Sequence, residues 1–199
     1  KESPGKVGAW LGWQIINAYM KQNPNTTLRQ LVELKDGQKI FYISNKTSDY
    51  FSPTALYEYD LVTKTEKVVL PGVRSTYSMV PGSENIIYSK LSDDNPYDYK
   101  VHDIYVFDRK TEEETRLTNN LRANMPSVSS DGKKITFLFQ KDGTTNVGLL
   151  DIDGKNFKQL TFYSNGEQVY NPKFSADAKS VIFDLSYLHG RDIAWVLVD

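Results

Sequence analysis

The chain has 199 residues, and its 24 basic and 25 acidic side chains leave a net charge of −1 at pH 7. That balance removes the electrostatic basis for binding nucleic acid or an anionic membrane surface. The absence of cysteine excludes disulfides, thiol nucleophiles and thiolate metal sites, and it fits a bacterial envelope protein.

The first 35 residues predict a helix, a break and a second helix. Ser3 and Pro4 supply an N-cap and a proline at the first helical position, and apolar residues then recur with a 3.6-residue period. NPN at 23–25 ends this helix, and Thr26 or Thr27 can cap a shorter second one. No apolar run reaches the length of about 18 residues that spans a bilayer, so we expect no transmembrane segment.

From residue 36 onward the chain repeats itself. One motif has the four copies DGQKIFY (36–42), GSENIIY (82–88), DGKKITF (131–137) and DAKSVIF (177–183), with spacings of 46, 49 and 46 residues. A second motif follows in phase as LYEYD (56–60), IYVFD (104–108), VGLLD (147–151) and WVLVD (195–199). A Leu-Thr pair closes the second and third copies at 117–118 and 160–161, with Val69-Leu70 in the equivalent place of the first.

Each copy predicts a four-stranded antiparallel unit. In the third copy we expect strands at 125–128, 134–139 and 147–151 and an outer strand that carries the Leu-Thr pair. Units of 40–50 residues with four strands are blades of a β-propeller. The blades are predicted at 36–72, 73–120, 121–168 and 169–199, after a helical segment at 1–35.

These repeats resemble the TolB-like propellers, whose unit has an Asp-Gly turn, an Ile-x-Phe strand, an Ile-Tyr-x-x-Asp strand and a closing Leu-Thr. The resemblance covers about residues 36–199, although Gly82-Ser83 and Asp177-Ala178 replace Asp-Gly in two copies. It implies a mainly β fold and a periplasmic or exported binding module of a bacterium. The first copy has a helix where its inner strand should be and the fourth lacks an outer strand, which leaves about three and a half to four blades. Either a four-bladed ring closes imperfectly, or the chain is an arc of a larger ring, which we favour.

The N-terminal segment resembles a different family. ESPGKVGAWLGWQII (2–16), with Tyr19, Met20 and residues 28–36, is similar to the C-terminal helices of GldB-type gliding-motility lipoproteins over residues 1–38. That family belongs to a zincin-like group, but the metal-binding His-Glu-x-x-His is absent from this chain. The resemblance therefore implies no metal chemistry here.

Motifs of catalysis are absent from the sequence. His102 and His189 are its two histidines, and they lie 87 residues apart without the spacing of a zinc site. Asp93, Asp94, Asp98 and Asp103 form an acidic cluster that lacks the ligand spacing of a calcium loop and is interpreted as a solvated loop. We expect no catalytic residue, metal or cofactor in this chain.

The connections after the second strand of each blade are long and aromatic at 45–54, 91–103 and 186–192. Exposed tyrosines on loops over a rigid scaffold are typical of a recognition surface, although such side chains can equally pack locally to order their own loops. The candidate partner-binding residues are Tyr50, Phe51, Tyr97, Tyr99, His102, Tyr187 and His189.

The function that these patterns favour is non-catalytic binding of a protein or of a cell-envelope component, without nucleic acid. Unpaired blade edges also lead us to expect self-association. One alternative is an accessory propeller of a zincin-like or serine peptidase whose catalytic domain lies outside these residues. A second alternative is a structural fragment without independent activity.

Overall fold

The computed structural model describes residues 39–46, 54–73, 76–92 and 99–198. Over these ranges the chain forms 14 β-strands and no helix. The predicted helical segment at 1–35 lies outside the described residues. The described part of the chain is therefore mainly β, as the repeats predict.

The strands form four sheets in chain order, and consecutive strands are neighbours in every sheet. The first sheet contains β1 (Lys39–Ser44), β2 (Ala55–Asp60) and β3 (Glu66–Pro71). The second contains β4 (Tyr77–Met79), β5 (Asn85–Ser92), β6 (Val101–Asp108) and β7 (Glu113–Arg116). The third contains β8 (Asn124–Val128), β9 (Lys134–Lys141), β10 (Thr144–Asp151) and β11 (Lys158–Gln159), and the fourth contains β12 (Gln168–Phe174), β13 (Ser180–Tyr187) and β14 (Gly190–Leu197).

The chain divides into two compact units, Lys1–Phe41 with Glu58–Lys67, and Tyr42–Tyr57 with Val68–Asp199. In the first unit the buried carboxylate of Glu58 lies 2.7 Å from Lys39 Nζ and 3.5 Å from Lys67 Nζ. The second unit, here called the blade unit, contains the second, third and fourth sheets. It is the part of the chain that positions the candidate site.

The core of the blade unit lies between successive sheets, because alternate residues of each strand face opposite neighbours. One buried cluster joins the second and third sheets and contains Ile87, Ile104, Ile135, Phe137, Phe139 and Leu150. Another joins the third and fourth sheets and contains Leu138, Val147, Leu149, Val169, Val181 and Phe183. The third sheet is thus buried on both faces, and consecutive residues are buried at 135–139 of β9 and at 146–150 of β10.

Strand pairing aligns the three sheets of the blade unit residue by residue. The last residues of the first motif, Tyr88, Phe137 and Phe183, pair with Tyr105, Gly148 and Ala194, respectively. The residues that precede these partners, Ile104, Val147 and Ile193, therefore occupy equivalent positions. The sequence alignment of WVLVD (195–199) with VGLLD (147–151) is therefore wrong by two residues. A two-residue shift keeps every side chain on the same face of a strand, so hydrophobic alternation could not detect it.

The predicted Asp-Gly turns are held by side chains as well as by glycine. Gly132 has a φ of 71°, and Asp131 Oδ1 accepts bonds from Ser129 Oγ at 2.7 Å and Lys133 N at 3.1 Å. In the fourth sheet Ala178 takes the same left-handed conformation, with a φ of 58°. There Asp177 accepts equivalent bonds, from Ser175 Oγ at 2.6 Å, so the turn persists without glycine.

Acid is expected to weaken these turns. The hydrogen bond from Ser129 is the largest cause that lowers the pKa of Asp131, and the bond from Ser175 does the same for Asp177. A lowered folded-state pKa contributes stability that is present above the unfolded value of about 4 and is lost as the pH falls through the folded value. Urea titrations should show constant stability from neutral pH to about pH 5 and a decline below about pH 4. A D131N/D177N variant should show a shallower decline, and an equally steep one would contradict this account.

Gly148 is required because two aromatic rings lie over it. A Cβ atom at this position would lie 2.8 Å from Phe137 Cζ and 3.1 Å from Phe157 Cε2. Since close-packed interiors relax only partly, G148A should lower the free energy of unfolding by about 1–3 kcal/mol. Urea denaturation measures the loss, and F137L in the same chain should recover part of it by making room. An unchanged stability of G148A would show that the rings move freely.

Candidate functional site

One end of the blade unit carries the β5–β6, β9–β10 and β13–β14 connections. The segment from 117 to 123, which links the second sheet to the third, meets the first of these connections at a shared cleft. Phe162 and Tyr163, which follow the third sheet, likewise lie beside Lys141 at the end of β9 and Asp142 of the β9–β10 connection. We call this the loop end of the blade unit, and it is the end on which the sequence places the candidate residues.

The cleft between the second and third sheets has a volume of about 370 Å³. It is lined by Tyr99, Lys100, Val101, His102, Arg122, Asn124 and Gln140. The structure thus brings together two of the predicted residues, Tyr99 and His102, and leaves 45% of Tyr99 exposed. Sequence reasoning missed Lys100, Arg122, Asn124 and Gln140, because link and strand-end residues carry no motif.

Beneath this cleft lies a fully buried carboxylate, that of Asp103. Arg116 Nη2 lies 2.6 Å from its Oδ2, and the Thr118 hydroxyl donates to its Oδ1 at 2.7 Å. The backbone amides of Asn120 and Leu121 donate to it at 2.9 and 3.2 Å. These bonds tie β6 to the link that follows β7. The interpretation of Asp103 as part of a solvated acidic loop is therefore wrong, while Asp93, Asp94 and Asp98 lie outside the described residues.

The third sheet repeats this arrangement with neutral groups. Asn146 occupies the position of Asp103, and its Oδ1 accepts bonds from Thr161 Oγ1 at 2.9 Å and Tyr163 N at 2.8 Å. Gln159 occupies the position of Arg116 and donates to the Thr161 carbonyl at 2.6 Å. The Leu-Thr motif therefore follows the short outer strand instead of lying within it. Its threonine fixes the end of each sheet to the link toward the next.

The β13–β14 connection differs from the predicted long loop. Tyr187 pairs with Gly190, so Leu188 and His189 alone form the turn, and the prediction of a loop over 186–192 is wrong. The Tyr187 hydroxyl donates to Asp192 Oδ2 at 2.7 Å, and this bond is the main cause that raises the pKa of Tyr187. Its ring lies against Gly190, where a Cβ atom would be 3.2 Å from the phenolic oxygen. Tyr187 thus orders its own hairpin, although 42% of it remains exposed.

Of the four remaining candidate residues, the structure describes one. His189 is exposed at the tip of the β13–β14 turn. Tyr50, Phe51 and Tyr97 lie outside the described residues. Within the described ranges, no three His, Asp or Glu side chains are grouped so that they could hold a metal ion. Among these same residues no helix has the length and apolar character needed to cross a bilayer.

Comparison with known proteins identifies the class of the fold as a β-propeller. The crystal structure of TolB from Acinetobacter baumannii superposes with a TM-score of 0.65 at 24% identity, over 80% of this chain and 38% of that one. The putative TolB from Agrobacterium tumefaciens gives 0.67 at 20% identity, over 82% and 58%. An oligogalacturonate lyase in complex with manganese gives 0.60 at 17% identity, over 79% and 47%. The fold is therefore that of TolB-like propellers, and the chain spans between 38% and 58% of the length of these proteins.

The N-terminal segment has a separate relationship. The family model described as gliding motility protein GldB matches residues 1–47. This match confirms the resemblance seen at 1–38 and extends through β1 (Lys39–Ser44) of the first sheet. No curated protein matches the chain.

Proposed function

We propose that the chain is a non-catalytic propeller module that binds another protein or a cell-envelope component through the loop end of the blade unit. The observation that carries this proposal is the cleft that joins Tyr99 and His102 to a set of cationic and amide side chains. Rigid sheets beneath surface connections are the usual scaffold for recognition. The exposed apolar side chains Phe162 and Leu188 at the same end support the same function.

The proposal includes the setting of the module. We propose a helical segment at 1–35 and propeller blades at 36–72, 73–120, 121–168 and 169–199. The GldB match and the TolB-like fold support an exported, periplasmic location in a bacterium. The alternative proposal is an accessory module of a zincin-like or serine peptidase whose catalytic domain lies outside this chain.

Truncation at the loop end tests the proposal. Y99A should weaken capture of the partner from the envelope fraction of the source cell by about 5–30-fold, because a central interface tyrosine contributes about 1–2 kcal/mol. K110A, at an exposed position in the β6–β7 turn, is the matched control and should bind as the wild type does. Both variants should melt at the wild-type temperature. Equal capture by Y99A and the wild type would contradict the proposal.

A lyase activity is the second candidate, because one similar structure is an oligogalacturonate lyase with manganese. We propose that this chain lacks it, since the residues that the structure describes place no carboxylate in the lining of the cleft and hold no three-ligand group. Incubation with oligogalacturonate and manganese, followed by ultraviolet absorbance of the unsaturated product, tests this. We expect no increase, and a manganese-dependent increase would establish the enzyme instead.

A further inference from the structure

Building on the proposed binding function, we infer that the cleft between the second and third sheets is a carboxylate-binding site for an acidic side chain of a partner protein. Its lining combines the cations Lys100 and Arg122 with His102 and with the amides of Asn124 and Gln140. Among the described residues that line it, none carries a carboxylate. A concave surface with donors and positive charge attracts anions and fixes their orientation.

Arg122 is held in place by its neighbours on both sides. The amide of Leu121 donates to Asp103 at 3.2 Å, and the amide of Ala123 donates to the His102 carbonyl at 2.7 Å. Between these two anchors Arg122 has a φ of 51°, a left-handed conformation that costs energy for a residue with a long side chain. Such strain persists where surrounding bonds enforce it, and it is concentrated at binding sites.

The buried carboxylate beneath the cleft does not neutralise this charge. Asp103 is fully buried and its charge is paired with Arg116 at 2.6 Å. Its remaining acceptor capacity is used by Thr118 and by the backbone of the link. Asp103 is therefore paired with a cation other than Arg122, and Arg122 lines the cleft.

The equivalent positions at the next junction of the repeat hold neutral residues. At the junction of the third and fourth sheets, Thr145 replaces His102 and Gln168 replaces Arg122, and the Thr145 hydroxyl donates to Gln168 at 3.3 Å. The Gln168 amide also donates to the carbonyls of Gly143 and Gly166 at 3.1 and 3.2 Å. Neutral residues thus complete a blade junction by bonding to one another. A cation is therefore not required at the Arg122 position of the repeat, and we attribute its presence there to an anionic ligand.

A protein side chain fits this site better than a larger anion. The guanidinium of arginine matches the two oxygens of a carboxylate, and a cleft of about 370 Å³ has room for a side chain and its neighbours. Elsewhere at the loop end, Phe162 and Leu188 are 77% and 91% exposed. Exposed apolar side chains of this kind favour a protein partner.

Two capped hexapeptides test the inference, one with three consecutive glutamates and one with three glutamines in their place. In titrations followed by amide chemical shifts, the glutamate peptide should bind at least about tenfold more tightly and should shift residues 99–102 and 122–124. R122Q should weaken binding of the glutamate peptide about tenfold. K100Q, which leaves Arg122 and its left-handed backbone conformation unchanged, should also weaken binding of this peptide. K110Q removes the same charge from the opposite end and should bind within about twofold of the wild type.

Equal binding of the two peptides, no binding by the wild type at millimolar concentration, or unchanged binding by R122Q and K100Q would each overturn the inference. So would a hexuronate oligosaccharide that binds at least tenfold more tightly than the glutamate peptide, because it would assign the cleft to a carbohydrate. The proposed function is tested separately from the carboxylate specificity, by Y99A. If Y99A weakens partner capture while R122Q and K100Q do not, the loop end is still the binding surface and only its carboxylate specificity is wrong.

Discussion

Replacing Asp103 with asparagine should lower the free energy of unfolding by about 2–4 kcal/mol. The change leaves the guanidinium of Arg116, whose side chain is 17% exposed, without its charged partner at 2.6 Å. It also converts one acceptor oxygen into a donor that faces the amides of the link. Urea denaturation followed by tyrosine and tryptophan fluorescence measures the loss.

The double variant D103N/R116Q should recover much of that stability. It recreates the pair that the third sheet already contains, Asn146 with Gln159, at equivalent positions. A double-mutant cycle should therefore give a coupling energy of about 1–3 kcal/mol between Asp103 and Arg116. Additive effects would show that the two side chains act independently and would contradict the equivalence of the two sheets.

A second large effect, on self-association, is expected at the face of the fourth sheet that lies opposite its buried face. Its side chains Ile182, Ile193 and Trp195 are 43%, 79% and 66% exposed. Equivalent positions in the third sheet hold Thr136, Val147 and Leu149, which are almost completely buried, the latter two in the cluster shared with the fourth sheet. A face of this repeat is therefore normally covered by another sheet, and exposed patches of this kind drive association.

We expect the chain to self-associate through this face, with sedimentation coefficients that rise with concentration. W195E should abolish the rise, or weaken association at least about tenfold, because it places a charge in the buried part of the contact. L188E is the control, since Leu188 is exposed at the β13–β14 turn and lies outside this face. A wild-type chain that sediments as a monomer at every concentration would refute the expectation.

The propeller repeat was predictable from sequence because its signals are local. The Asp-Gly turns and the alternating strands recur in phase, and each blade pairs strands that are consecutive in the chain. The alignment of β14 with the equivalent strands was not predictable, because a shift by two residues leaves every side chain on the same face of the strand. Its alignment required the pairing of Phe183 with Ala194.

The candidate site was predictable only where aromatic residues mark the connections. Tyr99 and His102 were recognised in this way, and both line the cleft. Arg122 was not recognised, because its place in the cleft depends on the link between two sheets and on a backbone conformation that no motif records. Asp103 was misinterpreted since a buried carboxylate and a solvated one look alike until Arg116, thirteen residues later in sequence, is placed beside it.

The central claim is that the loop end of the blade unit binds a partner, and position-specific photocrosslinking tests it most directly. A photoreactive amino acid is placed at Tyr99 in one variant and at Lys110, in the exposed β6–β7 turn, in another. Both variants are then irradiated in the envelope of the source cell. The claim predicts a discrete crosslinked partner from position 99, competed by excess wild-type chain, and none from position 110. Equal crosslinking from both positions, or a partner captured from position 110 alone, would contradict it.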